Sequence, residues 1–587
     1  MMTLKGKILV ALAVIAVLSI GGYRWKDKLF PPAPTSNPSI NINALKDKLN
    51  NLGSNVVAAI KTAVDINSKL LAGTNTVSLI GDSVMPPVTA VSSYDKTTKN
   101  GKLLVKFPIN VWPGWAGIIM ANNGMGANEE SLFYKKYGFF VELSLVDDPV
   151  MARDLFASGH SHILWGTLDM IALFAPALSK DSRTIPIVAQ AIDNSNGGDG
   201  VVSRNNIKSI NDFRMKNGVR CKVVLAQNSP SHNFFMILLI NAGIDPAEID
   251  FRWTKDAPSA AKLFVQDTSF DAFVGWSPDI YTVTDSVPGT RLVVTSATAN
   301  NVIFDVWAVR NDFATDHPDI VEKMIRCIFE GVDMVRKDPQ LAAKYLSAAY
   351  NLPVADCAMM IGKDGGIASG DAHLLNYREN YKFFCDQMNP VNFESIWNKS
   401  STIYQSLGVI DAPIVAAKVK ASKFLLGMVN DYKDVQDLSQ PVFSPNMVFK
   451  TLEAGEGNIL SKAVQIRFES GKWDLNSTYD TNIPNSLVEI GMLAGNFGNA
   501  YIVIEGNTDG SMKGLVPSDA IRKLSYDRAE AVKKSILTKY PNFDPNKFKV
   551  VGNGWDSPLP GCTDSSDKEQ NKKNRRTEIK VYPLETE

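Results

Sequence analysis

Residues 102–120 read KLLVKFPINVWPGWAGIIM, and this stretch sets the fold class. Leu103–Phe107 is β-branched, aromatic and apolar enough for a strand, Asn110–Gly114 carries turn chemistry, and an apolar helix follows. The same grammar repeats downstream. Strands are expected at Val141–Val146, His162–Trp165, Lys222–Leu225, Ile249–Arg252, Phe270–Val274 and Arg291–Val294. Helices are expected at Pro149–Ser158, His232–Ala242 and Ser259–Val265. Strands that alternate with helices imply α/β architecture with mainly parallel sheets covered on both faces.

In such sheets ligands sit beyond the carboxyl ends of the strands. Three turns at those ends stand out: Trp112-Pro113-Gly114-Trp115, Gly166-Thr167-Leu168-Asp169 and Asn228-Ser229-Pro230-Ser231-His232. Each opens a helix, whose free N–H groups favour an anion. The candidate ligand-binding residues are Trp112, Trp115, Thr167, Asp169, Asn194, Ser229, Ser231, His232 and, across the cleft, Trp276. Two bland readings stand beside this one. Ser229 and Ser231 are good helix N-caps in any protein, and the tryptophans suit a core. Asp169 and Asp193 oppose the anion, since an acid in the pocket pairs with an amine, so the sign of the solute stays open. His160 and His162 share a strand face, but no third ligand lies near them in sequence and no metal or other cofactor is expected.

A series of segments carries a family resemblance: VWPGWAGIIMANNG (111–124), YKKYGFFVELSLVDDP (134–149), DLFASGHSHILWGTLD (154–169), KSINDF (208–213), NSPSHNFFMILLINAGI (228–244), DAFVGWSPD (271–279) and FDVWAVRNDFATDHPDIVEK (304–323). Together they resemble the periplasmic solute-binding proteins of nitrate, sulfonate and taurine ABC transporters. The resemblance implies two lobes, 102–192 plus 300–411 and 193–299, that close on a small-molecule solute, and an ABC permease as a further partner. An enzyme on the same two-lobed fold is the competing class. No Ser-His-Asp, Cys/His or metal constellation supports it.

The C-terminal segments VQIRFES (464–470), YIVIEGNTDG (501–510), LSYDRAEAVKKSIL (524–537), VVGNGWDSPL (550–559) and KNRRTEIKV (573–581) resemble an OmpA-like domain. That resemblance implies peptidoglycan binding by Asp509, Arg528, Asn574 and Arg575. Arg528 would take the carboxylate of a diaminopimelate stem and Asp509 its ammonium. The loop between Asp509 and Arg528 is longer than the family's usual one, and Ile521 stands where a polar residue is common. A fold kept only for protein contacts is the alternative.

The uncharged run Ile8–Tyr23 is flanked by Lys5 and Lys7 before it and Arg24, Lys26 and Lys28 after it. It reads as a retained signal anchor rather than a cleaved signal. It contains no carboxylate, which argues against a proton-conducting stator subunit. Ile42 to Val64 carries apolar residues at three- and four-residue steps, as an amphipathic helix does. The expected order is therefore a membrane helix (1–28), a linker (29–100), a two-lobed solute-binding domain (101–411), a second linker (412–458) and an OmpA-like α/β domain (459–587). The expected location is the bacterial envelope, anchored in the inner membrane with the bulk in the periplasm. Lys plus Arg and Asp plus Glu are both 61, so bulk charge gives no reason to expect nucleic acid. The five cysteines include no C-x-x-C pair.

Overall fold

The computed structural model describes residues 85–584, apart from 89, 205, 440, 442, 444–456, 465, 467, 469–470, 476–482, 560, 563–570 and 572. The expected membrane helix and the amphipathic helix lie outside the described residues. Among the described residues no helix is long and apolar enough to cross a membrane.

The chain enters through β1 (Thr98–Lys99), β2 (Lys102–Ile109), β3 (Phe140–Leu145), β4 (Ile163–Thr167) and β5 (Pro186–Ser195). It then crosses over to β6 (Asp199–Arg204), β7 (Cys221–Ala226), β8 (Ile249–Thr254), β9 (Ala272–Trp276) and β10 (Thr290–Thr295). It returns through β11 (Phe304–Arg310) and β12 (Ala372–Leu374). β2 pairs with β3 in parallel, while β11 lies antiparallel between β4 and β5. His162 N donates to Lys106 O at 3.2 Å and brings β2 beside β4. Lobe one therefore runs β3-β2-β4-β11-β5-β12. Lobe two runs β8-β7-β9-β6-β10, with β7 parallel to β8 and β9 and with β6 antiparallel to β9 and β10. In each lobe the antiparallel strand inside the sheet is the one that has just crossed from the other lobe. That repetition defines a two-lobed α/β body with a double crossover at residues 196–198 and 296–303.

The lobe-one core gathers Phe107, Trp115, Trp307 and Trp397, all fully buried. Trp307 Nε1 donates to Gln190 Oε1 at 3.1 Å, which satisfies its one polar atom. Lobe one extends past the expected boundary at 411. Val188 N donates to Val419 O at 2.7 Å, Tyr377 Oη donates to Leu425 O at 2.8 Å, and Arg326 pairs with Asp431 at 2.7 Å. Much of the expected second linker is thus a strap on lobe one. It contains a 3-10 turn at Ala416–Lys418 and a short helix at Ser422–Gly427.

The C-terminal unit adds β13 (Leu460–Val464), β14 (Ala500–Asn507), β15 (Phe548–Gly554) and β16 (Arg576–Pro583), ordered β13-β16-β14-β15. Helices Ile483–Asn496 and Ser518–Lys539 accompany this sheet. It docks on lobe two and on a crossover. Ile210 N donates to Ile459 O at 2.8 Å, and Asn211 exchanges two hydrogen bonds with the Ser461 backbone. Asn301 Nδ2 donates to Gly495 O and Asn499 Nδ2 to Ala297 O, both at 2.9 Å. All five cysteines are free thiols.

Candidate functional site

The cleft is built where the sheets end at the crossovers. Trp112 follows β2 and is nearly buried; its Nε1 donates to both carboxylate oxygens of Asp193, at 3.2 and 3.1 Å. This requires close backbone approach. A Cβ on Gly114 would fall 1.6 Å from Asp193 Oδ2, and one on Gly198 would fall 2.6 Å from the Trp112 ring. Asp193 stands opposite Asp305 in the β5–β11 ladder, and Asp305 stands opposite Thr167 in β4. Asp169 opens the helix Leu168–Leu178 and accepts from Tyr404 Oη at 2.9 Å. Asp199 begins β6 in lobe two, where Ser195 Oγ donates to its Oδ2 at 2.7 Å.

Four carboxylates, Asp169, Asp193, Asp199 and Asp305, are thus buried around one region. Burial raises the pKa of each, Asp199 to about 7 and Asp305 well above the usual carboxylate range. Asp193 and Asp305 face each other across the ladder, and after burial the Asp193 charge is the largest cause that raises the Asp305 pKa. Among the described residues no Lys or Arg pairs with them; the buried His373 lowers the Asp193 pKa, and its own pKa is raised by Glu379 against the opposing effect of burial. The buried Arg310 ends β11, about 17 Å along the strand from Asp305, and is paired with Asp312. His373, within electrostatic reach of Asp193, faces Glu379 at 3.2 Å.

Lobe two contributes the opposite wall. Ser231 Oγ and His232 Nε2 are buried with no hydrogen-bond partner. His232 Nδ1 accepts from Asn228 N at 3.3 Å, so Nε2 carries the ring proton at neutral pH. Burial pushes the His232 pKa down to about 4, and the ring is therefore neutral. Its centroid lies 4.6 Å from that of Trp253 and 6.3 Å from that of Tyr404, which reaches over from lobe one. Trp276 ends β9 half-buried, opposite Asp199 in the ladder.

The expected cleft residues separate into groups. Trp112, Thr167, Asp169, Ser231, His232 and Trp276 gather at the cleft. Trp115 does not: it is fully buried in lobe one, edge-on to Phe107, with Nε1 bonded to Asn110 Oδ1 at 2.7 Å. Two tryptophans flank one Pro-Gly turn, and the turn sends only the first toward the crossover. Asn194 ties the crossovers together by donating from Nδ2 to Asn300 O. Ser229 is an N-cap, accepting from His232 N at 3.4 Å. His162 is bonded through both ring nitrogens, Nδ1 to Lys106 N and Nε2 to Asp95 O, while the exposed His160 contacts Ser158 instead. Among the described residues no group of three or more His, Cys, Asp or Glu is arranged to hold a metal. Sequence reading missed Asp199, Asp305, Tyr404 and Trp253. Asp305 carried a signal, since it is an acid inside the apolar run FDVWAV.

A second cluster lies on the C-terminal unit. Arg575 Nε donates to Asp509 Oδ2 at 2.6 Å, and Ser511 Oγ donates to Asp509 Oδ1 at 2.6 Å. Arg528 Nε donates to Lys472 O at 3.0 Å, and its guanidinium lies over the Phe468 ring. Burial, then the Arg575 charge, lowers the Arg528 pKa to about 10, so it stays cationic at neutral pH. Asn574 has a different place. Its Oδ1 accepts from Leu559 N at 2.8 Å and its Nδ2 donates to Cys562 O at 2.9 Å, which makes it a buried loop clasp.

No family model and no curated protein matches the chain. Solved structures do. The periplasmic aliphatic sulphonate binding protein SsuA from Escherichia coli matches at 14% identity and a TM-score of 0.41, over 55% of this chain and 99% of that one. The periplasmic nitrate-binding protein NrtA from Synechocystis matches at 15% and 0.42, over 58% and 91%. The desulfurization enzyme DSZB matches at 12% and 0.37, over 56% and 99%. The two-lobed fold of this chain rests on its own strand order.

Proposed function

We propose that this chain is an envelope solute-binding protein whose lobes close on a small organic cation, and whose C-terminal unit, OmpA-like in its motifs, attaches to peptidoglycan. One observation carries the first part: among the described residues four buried carboxylates converge from both sides of a crossover with no Lys or Arg among them, and the one nearby histidine, His373, is already paired with Glu379. Unliganded, they hold protons more tightly than free carboxylates because burial disfavours their charge. A cationic solute reverses that balance and takes the place of the protons. Trp112 and Tyr404 donate to Asp193 and Asp169 respectively, so two aromatic rings stand beside the acids, edge-on to them. Aromatic rings beside carboxylates suit an ammonium or a flat amidine-like group. The helix N-termini that favour an anion are outweighed, since four acids line the same space. This reading departs from the sulphonate and nitrate after which the two similar binding proteins are named.

The test is a binding panel on the full chain. Primary amines, guanidines, quaternary ammonium compounds and protonated heteroaromatics are set against alkyl sulfonates, nitrate and taurine. A member of the first set is expected to bind, with affinity rising between pH 5 and pH 8 and lost in Asp169→Asn. Binding confined to the anions would overturn the reading.

The second part rests on the Asp509, Arg528 and Arg575 cluster. Two guanidiniums and one carboxylate complement the carboxylate and ammonium at the end of a diaminopimelate side chain. An inner-membrane anchor at 8–23 and an ABC permease that receives the solute complete the proposal.

A further inference from the structure

A second ligand site lies away from both clusters. The C-terminal end of the helix Pro230–Asn241, the helix Phe393–Ser406 of lobe one, β13 and the helix Ile483–Asn496 surround a cavity of ≈ 530 Å³. The cleft residues Ser231 and His232 sit at the opposite end of Pro230–Asn241, about 14 Å from Asn241 at the helical rise. The cavity size falls in the range of small-molecule sites.

Its chemistry is asymmetric. Ile240, Ile403, Val488 and Met492 supply an apolar wall. Three charged side chains line it: Lys399, Lys462 and Glu489. Lys462 is matched, since its Nζ pairs with Glu489 and also reaches Ile240 O at 3.3 Å. Lys399 is not matched. Among the described residues no carboxylate lies within ion-pair distance of it and no hydrogen bond satisfies it. The Nδ2 group of Asn241, on a residue 4% exposed, is a buried donor without a partner. An unpaired ammonium and an orphan amide donor thus line a mostly apolar cavity with one net positive charge. Burial and the neighbouring Lys462 lower the Lys399 pKa to about 8, the expected consequence of a cation lacking its counter-ion.

We infer that this cavity binds a monocarboxylate with an apolar tail, its carboxylate taken by Lys399 and Asn241 and its tail by Ile240, Ile403, Val488 and Met492. A dianion exceeds the single unmatched charge, and an amine meets Lys399 with the wrong sign. A neutral alcohol leaves the ammonium without a counter-ion.

The probe is octanoate, titrated by calorimetry into the full chain held in lipid nanodiscs, with empty nanodiscs as the blank. Octanoate is expected to bind at one site, at least about 10-fold more tightly than 1-octanol or octylamine, the scale for a hydrogen bond to a half-buried ammonium. Lys399→Met is expected to remove that preference and Lys399→Arg to keep it. Wild-type chain that binds octanol as well as octanoate, or neither, overturns the inference, and so does undiminished octanoate binding by folded Lys399→Met. The wild-type comparison needs no variant to fold. An octanoate site that persists in Asp169→Asn separates this cavity from the cleft.

Discussion

Asp199→Asn separates what the acidic cleft does for solute from what it does to the fold. Asp199 is buried, and its pKa rises from 3.8 to about 7 chiefly through burial. The folded state therefore binds a proton more tightly than the unfolded chain by about three powers of ten. At about 1.4 kcal/mol for each power, ionising Asp199 inside the closed cleft costs up to about 4 kcal/mol. The sign follows from linkage. Below about pH 4 both states are protonated and there is no penalty. From pH 4 to 7 the unfolded chain releases its proton first, so stability falls as pH rises, and above pH 7 the full penalty is present. Asparagine keeps an oxygen to accept from Ser195 Oγ and removes the charge. The variant should match wild type in urea midpoint at pH 4. By pH 8 it should be more resistant to urea, by a margin equivalent to between about 1 and 4 kcal/mol. Midpoint differences are the suitable measure, because several domains do not unfold as one two-state unit. The more stable variant should also bind solute more weakly, a trade expected where function maintains strain. A difference that does not change with pH, or a variant weaker than wild type at pH 8, would refute the reasoning.

The remaining predictions concern single side chains. Trp112→Ala should weaken solute binding in a direct titration, whereas Trp115→Ala should lower stability by roughly 3–5 kcal/mol, the range for a buried aromatic truncation, as read from urea midpoints. In a sacculus pull-down, Asp509→Ala and Arg528→Ala should each reduce retention about 30-fold or more with the far-UV circular dichroism unchanged. Asn574→Ala should instead loosen the loop it clasps, lowering the melting temperature more than it lowers sacculus affinity. Adding solute should release protons, visible as a binding enthalpy that depends on the buffer's ionisation enthalpy, because a cation displaces protons from the acids.

Much of the fold was legible because apolar runs of four to eight residues between turn signals have few alternatives. Residues 103–107, 222–225 and 249–252 all became strands close to their expected bounds. The crossover strands were harder. Nothing local in Asp199–Arg204 says that it lies antiparallel among parallel neighbours, since that is decided by the crossing from lobe one at 196–198 and by the later docking of β9 and β10 on either side of it. The strap at 414–437 was misread as linker because its polar surface residues mask single anchors such as Leu425 and Tyr432, which find partners far away in sequence. At the site, helix-opening turns were visible as motifs, but the acids that set the sign of the solute come from four separate segments. Asp305 reaches Asp193 only through strand pairing, and Tyr404 reaches Asp169 only through helix packing. In the C-terminal unit the motif resemblance pointed to Asp509 and Arg528. It did not show that Asn574 is occupied on both sides, which depends on how the loop around Cys562 folds back.

The most direct test of the central claim is the identity of the solute itself. The full chain, purified in mild detergent without added ligand, is analysed by native mass spectrometry, and the released solute is then identified in both ion polarities. A bound species that carries a positive charge at neutral pH, and that is absent from Asp169→Asn, is the predicted result. A sulfonate, nitrate or other anion held by wild type and kept by that variant would contradict it.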